Sequence, residues 1–297
     1  MIKNSFAAKV FFLLLIVAAT VAVWWYGMGG VLPTRSDLAS IAQKATDIAS
    51  QTAGDISAPP PLRAERESPT AFLTYDGVVL WTNAARRENG GLSALATNVK
   101  LDAAAEAKLA DMFDKQYFEH ISPSGAGPGE LVDAVGYAYI AVGENLAEGN
   151  FEDDRVLVDA WMASPGHRAN ILDADYMEIG VAVGRGVFEG RETWIAVQEF
   201  GRPLSACPQP DRNLLVQIEA DQAELESLES RADALRAELE SRRGRRPMTG
   251  EQADEYNAKA DEYNALVERI NALISSIQGE VTVYNGQIEA FNACAGG

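Results

Sequence analysis

Histidine and cysteine are almost missing from this chain, with two of each among 297 residues. Basic residues are scarce too: 25 Lys and Arg stand against 43 Asp and Glu, a formal net charge of -18. Each shortage excludes a class of chemistry. Without a Lys/Arg-rich stripe, nothing can release counterions from a nucleic acid or hold anionic headgroups, so nucleic acid is excluded as a partner. Cys207 and Cys294 form neither a C-x-x-C redox pair nor a zinc-knuckle spacing. A His-Glu-x-x-His helix and a Gly-x-Ser-x-Gly elbow are also absent. Any site must therefore be assembled from separate segments by tertiary folding.

What is present starts with an uncharged apolar run, Val10 to Val23, preceded by Lys3 and Lys9 and followed by Trp24, Trp25 and Tyr26. Lysines before the run and aromatics after it are the flanks of a membrane segment with its N-terminus inside. A cleaved signal peptide ends in small residues, where three bulky aromatics stand here. Residues 1–30 are therefore expected to be a signal anchor, a single-pass transmembrane helix in the cell membrane that leaves the bulk of the chain extracytoplasmic. Cleavage at a later small residue, giving a secreted protein, is the alternative. Residues 31–70 are polar and Ala/Ser-rich and are expected to form a stalk. Asp37 to Ala49 has the spacing of a modest helix, and Pro59-Pro60-Pro61 reads as a semi-rigid spacer.

Helix and strand patterns alternate in the central part. Leu101 to Phe118 places Leu101, Ala104 or Ala105, Leu109, Met112 and Phe113 on one helical stripe. A second helix is expected over Asp153 to Met162, with Val156, Leu157, Ala160 and Trp161 inward and Trp161 in the core. Strands are expected at Tyr137 to Val142, Ile179 to Val183 and Thr193 to Phe200, the last two as a hairpin. Gly180, Ala182 and Gly184 fall on one strand face, which implies a helix packed closely against a sheet held between helical layers.

From residue 206 onward the pattern becomes purely heptad. Leu214, Ile218, Asp221, Leu225, Leu228, Ala232, Leu235 and Leu239 form one stripe, and Tyr256, Ala260, Tyr263, Val267, Ile270, Ile274, Ile277, Val281, Tyr284, Ile288 and Phe291 form another. Arg242 to Gly250 breaks them, so an antiparallel coiled-coil hairpin is expected over 206–297. Antiparallel return brings Cys294 back beside Cys207, and outside the cytoplasm that pair is expected to be bridged.

Both histidines occur in motif-like contexts: His120 ends Tyr117-Phe118-Glu119-His120, and His167 lies within Trp161-Met162-Ala163-Ser164-Pro165-Gly166-His167-Arg168-Ala169-Asn170-Ile171-Leu172. Between them stands Gly143-Glu144-Asn145-Leu146-Ala147. Together with Thr82-Asn83-Ala84-Ala85-Arg86-Arg87-Glu88-Asn89-Gly90 before them and Val197-Gln198-Glu199-Phe200-Gly201 after them, these phrases resemble, in wording and order, the CAP superfamily of cysteine-rich secretory, antigen 5 and pathogenesis-related 1 proteins, in its short bacterial branch. The resemblance covers roughly 75 to 204, within a domain drawn at 71–205. It implies an α+β fold, a three-layer αβα sandwich, and a cleft faced by two His and two Glu that binds divalent metal in some members. His120, Glu144 and His167 match three of those positions, and Ser164 stands where the resemblance places the second glutamate.

Two imidazoles and one carboxylate match the ligand inventory of a zinc site, so Zn2+ is the expected metal, weakly held. Ser164, Asn145 and Asn170 are expected to line the cleft, the two asparagines fixing the turns around Glu144 and His167. Arg168 is expected to neutralise Glu178 or Glu199. Three functions follow as expectations. The first is an extracytoplasmic binding module for a small cell-envelope or lipid-like ligand. The others are a metal-dependent hydrolase and an adhesion or structural protein that meets a protein partner through its coiled coil.

Overall fold

The computed structural model describes residues 55–243 and 249–296. The expected anchor, the stalk up to residue 54 and its helix, and residues 244–248 within the expected break between the long helices lie outside the described residues. Among the described residues, no helix is long and apolar enough to cross a membrane.

The sheet is built around three long strands, β4 (Tyr139–Glu148), β5 (Glu178–Phe188) and β6 (Arg191–Pro203), joined by three short ones, β1 (Asp55–Ser57), β2 (Leu62–Arg63) and β3 (Ala96–Thr97). Its order is β1-β4-β6-β5-β3, with β2 also paired to β4. Strands β5 and β6 form the expected hairpin, which turns at Glu189 and Gly190; both have positive φ, the backbone of a tight two-residue turn.

Side chains alternate across the sheet, so each strand feeds two cores. On one face Val142, Leu146, Ala182, Ile195 and Val197 meet α2 (Val99–Lys115) and the short α3 (Pro128–Ala134) through Leu101, Ala104, Ala105, Met112 and Val132. On the other, Ala147, Val181, Ala196 and Phe200 meet α1 (Tyr75–Glu88), α4 (Asp154–Ala163) and α5 (Pro165–Ile171) through Val78, Leu157, Trp161 and Ile171. Trp161 is fully buried, and its indole N–H donates to the Leu146 carbonyl. The close approach read from the small residues is real: a side-chain carbon at Gly180 would lie 2.1 Å from the carbonyl carbon of Leu101 and 2.3 Å from the Asp102 nitrogen. Val156, expected inward, is 42% exposed; the buried stripe of α4 is Leu157, Val158 and Trp161, so Val158 takes its place in the core.

Part of the expected stalk belongs to this domain. Asp55–Ser57 pairs parallel with Ala141 to Gly143, and Leu62–Arg63 pairs parallel with Ala147 and Glu148. Between them Ala58 to Pro61 arches past Glu144 to Leu146 without ladder pairs, as three consecutive prolines without N–H groups dictate. The proline run thus marks the break between two edge strands, and the described part of the domain includes residues 55–70, ahead of the expected start at 71.

Two long helices follow, α6 (Arg212–Arg243) and α7 (Gly250–Ala295). Ion pairs Arg269–Glu224, Arg231–Glu262 and Arg242–Glu255 descend one helix as they climb the other, so the helices are antiparallel. Leu228, Ala232 and Leu266 form the buried seam in the outer half; Leu266 holds the place expected for Val267. Cys207 and Cys294 form the expected disulfide, with Cα atoms 5.7 Å apart. Arg202 at the end of β6 donates to the Cys294 carbonyl at 2.8 Å.

Candidate functional site

Glu144 lies in the middle of β4, between Val142 and Leu146 on the face toward α2. The antiparallel register sets Glu199 of β6 directly opposite it, and both carboxylates are fully buried. Lys108 of α2 joins them from above, only 1% exposed. Its ammonium donates to the carbonyls of Glu119 and His120 at 2.7 and 2.6 Å and lies over the Tyr117 ring, which fixes the loop that delivers His120. Burial pulls the Lys108 pKa down, while the charges of Glu144 and Glu199 push it back up.

His120 meets Glu144 through Nδ1 and Oε1 at 2.5 Å, and its Nε2 meets the carbonyl oxygen of Pro59. A carbonyl only accepts, so Nε2 carries a proton, and one further proton lies between Nδ1 and Oε1. His167, brought in by α5, has Nδ1 at 2.8 Å from Ser164 Oγ and a buried Nε2 with no partner. Burial first, and then the charge of His120, depress the His167 pKa to about 4, so the ring is neutral at physiological pH. Glu199 is held well above the usual carboxylate range, by burial first and by the charge of Glu144 second, and Lys108 only partly offsets this. Neither Glu199 oxygen meets a donor, nor does Glu144 Oε2.

Asn145 and Asn170 are buried on the opposite face and along the edge, where they hold backbone in place. The Asn145 amide donates to the His167 carbonyl and to Gln198 Oε1, and that of Asn170 to the carbonyls of Ser57 and Glu144 and to Asn145 Oδ1. Gln198 continues the chain of hydrogen bonds to Thr82 on α1. Ser164 closes α4, opens α5 and orients His167. Arg168 approaches neither expected carboxylate: it donates to Asn89, while Glu178 accepts from the Tyr137 hydroxyl. Its side chain leaves the helix on the outer surface, away from the sheet.

Three participants escaped the sequence reading. Glu199 sat inside a motif read as a closing strand, although period-two alternation places it between Val197 and Gly201 on the Glu144 face. Lys108 interrupts the apolar stripe Leu101, Ala104, Ala105, Met112 at a core-facing position, and that interruption was its signal. Pro59 gave none, because its role depends on which strand edge its segment joins.

Among the described residues, no three His, Cys, Asp or Glu side chains are arranged to hold a metal ion. Both His120 nitrogens are engaged, so His167 Nε2 is the single free imidazole nitrogen of the site. In this arrangement the residues do not fit a zinc ion, which takes at least three protein ligands.

An αβα sandwich with two buried carboxylates paired across its β4–β6 ladder and two histidines beside them defines the class. Residues 81–200 match the family model described as CAP, the cysteine-rich secretory protein family. The chain carries a CAP-superfamily domain and has bacterial relatives. It is 34% identical over 171 residues to the protein YkwD of Bacillus subtilis (strain 168), a match covering 56% of this chain and 63% of that one. A second B. subtilis protein, the membrane protein YlbC, is 33% identical over 75 residues, which span 25% of this chain and 21% of the relative. The chain therefore spans less than two thirds of either relative. Among solved structures, an extracellular protein containing an SCP domain from Bacillus anthracis str. Ames is 27% identical, with a TM-score of 0.37, over 43% of this chain and 40% of its own.

Proposed function

We propose that the protein is an extracytoplasmic binding module whose CAP-domain cleft takes a small cell-envelope ligand rich in hydroxyl or amide hydrogen-bond donors. The observation that carries this reading is the group of buried polar atoms without partners: Glu144 Oε2, both Glu199 oxygens and His167 Nε2. Buried polar groups are hydrogen-bonded in the great majority of proteins, and a buried cluster of polar atoms left unmet is chemically suited to a hydrogen-bonding guest. The export-type N-terminal run of residues 1–30 supports an extracytoplasmic setting and a single-pass anchor.

A hydrolase has less support. Ser164 and His167 are hydrogen-bonded, but no third group orients the imidazole, whose Nε2 has no partner. Zinc binding enters this reading only if the Pro59 carbonyl leaves His120 Nε2. The helical hairpin offers a separate surface for a protein partner, with coiled-coil packing along its seam.

Mass spectrometry of small molecules that co-purify with the gently extracted full-length chain tests the main reading. A bound species retained by the wild type and lost in Glu199→Gln and in His167→Ala is the expected result. Equal recovery from all three chains would show that the cleft is not the binding site.

A further inference from the structure

We propose that the outer edge of β4, from Ala141 to Glu148, is a binding site for an extended, proline-centred peptide, and that Asp55–Arg63 is the chain's own occupant of it. The proposal is separate from the small-ligand reading: that one rests on Glu144 Oε2, Glu199 and His167 Nε2, whereas this peptide is held by His120 Nε2, Asn170 and Glu148.

The segment is seated as a ligand would be. Its two ends add as short parallel strands to an open sheet edge, which is how extended peptides are recognised by strand addition. Its middle is read by side chains. His120 Nε2 donates to the Pro59 carbonyl, and Asn170 Nδ2 donates to the Ser57 carbonyl at 3.3 Å. The Arg63 guanidinium meets Glu148 at 2.7 Å and lies 5.1 Å from the centre of the Phe118 ring. All three receiving side chains are buried parts of the domain.

The segment lies on the rim of the core, which Leu62 and Ala64 touch, both half-buried. From Ile56 to Ala64 no residue is buried, and Ile56 is 44% exposed. A strand enclosed between helical layers buries its side chains; this one fits its recognition groups into a prepared groove and leaves Ile56, Ser57, Ala58 and Pro60 exposed. Two glycines shape that groove. A side-chain carbon at Gly166 would lie 2.6 Å from Pro59 Cβ, and one at Gly149 would lie 2.3 Å from Ala64 Cβ. The ligand class follows: a strand-forming residue pair, a proline run that makes no ladder hydrogen bonds but offers a carbonyl to His120, then an apolar residue and an arginine for Glu148.

A tethered occupant acts at an effective concentration of about millimolar, so it masks the edge from micromolar competitors. The test uses the full-length chain and a fluorescent peptide of residues 54–65 (Gly-Asp-Ile-Ser-Ala-Pro-Pro-Pro-Leu-Arg-Ala-Glu) followed by anisotropy. Two variants free the edge while leaving the receiving groups intact: Leu62→Pro with Arg63→Ala, and a deletion of residues 52–64. Circular dichroism and an intact Cys207–Cys294 bridge report that they fold. Both are expected to bind the peptide at least about a hundredfold more tightly than the unaltered chain. A peptide carrying alanine for its arginine should bind at least about tenfold less well, since it loses the charge-assisted bond to Glu148, which then keeps only Arg191 of the domain. Absence of peptide binding by both folded variants, or equal binding by the unaltered chain, or indifference to the arginine, would overturn the proposal.

Discussion

Glu144 and Glu199 face each other across the β4–β6 ladder, each fully buried, with the charge of the buried Lys108 acting on both. The pKa of Glu199 is raised, so the folded state keeps its proton after the unfolded chain has lost its own, above about pH 4.5. Its contribution to stability is complete below that pH and is lost as pH rises through the folded value. Urea denaturation of the full-length chain in detergent between pH 5 and pH 9 should show stability declining on the alkaline side. Glu199→Gln should flatten that decline, since an amide does not titrate; an unchanged slope would place the decline elsewhere.

The opposite sign applies to His167. Its folded pKa of about 4 lies below the ordinary 6.5, so the unfolded chain binds a proton across that interval and the folded one does not. Stability conferred by the neutral ring is complete above about pH 6.5 and falls as pH drops toward 4, by about 2 to 3 kcal/mol in all. Replacing His167 with glutamine should remove that acid-side slope while lowering stability at pH 7. Between pH 4.5 and 6.5 the two groups oppose each other, so the wild-type profile should be flattest there.

Lys108→Met should cost about 3 kcal/mol or more. The methionine matches the stem in length but leaves the carbonyls of Glu119 and His120 without their donor and two buried carboxylates without their cation. The His120 loop should lose its amide-exchange protection before the rest of the domain. A change within about 0.5 kcal/mol would show that the lysine merely fills space.

Gly180→Ala should destabilise by about 3 kcal/mol or more, because the added carbon meets the Leu101 and Asp102 backbone and no flexible side chain can yield. Thermal denaturation measures this directly. The same substitution at Gly90, where the nearest atom belongs to the Leu92 side chain at 3.5 Å, should change little.

Reduction of Cys207–Cys294 opens a loop with a sequence separation of 87. The chain-entropy relation gives a loss of about 4 to 5 kcal/mol for a loop of this length, less if the reduced hairpin stays helical. Denaturation with and without reductant should show it, and non-reducing peptide mapping should recover one linked pair of peptides.

What the chain discloses in advance depends on whether the signal is periodic. The stripe of α2, the β5–β6 hairpin, the seam of the long helices and the bridge at their base all follow from spacings of two, three and a half, or about four residues. So does the burial of Trp161. Glu199 was legible in principle from alternation alone, yet it carries meaning only once the register sets it opposite Glu144. The strands flanking Pro59 could not be read at all, because two and three residues are too few for a period and their partner residues lie 85 and 86 positions downstream. The helix α1 was seen as a motif and not as a helix; Thr74, its N-cap, was the available signal.

The hairpin is also a mechanical element. Its longer arm, 46 residues of continuous helix, reaches about 70 Å at 1.5 Å per residue, several times the thickness of the sheet layer it adjoins. Both arms are clamped at one place, where a covalent bond and the Arg202 hydrogen bond tie the end of α7 to the segment leaving β6. A load applied at the far tip therefore enters the domain at that clamp, and the first strand to feel it is the one that carries Glu199.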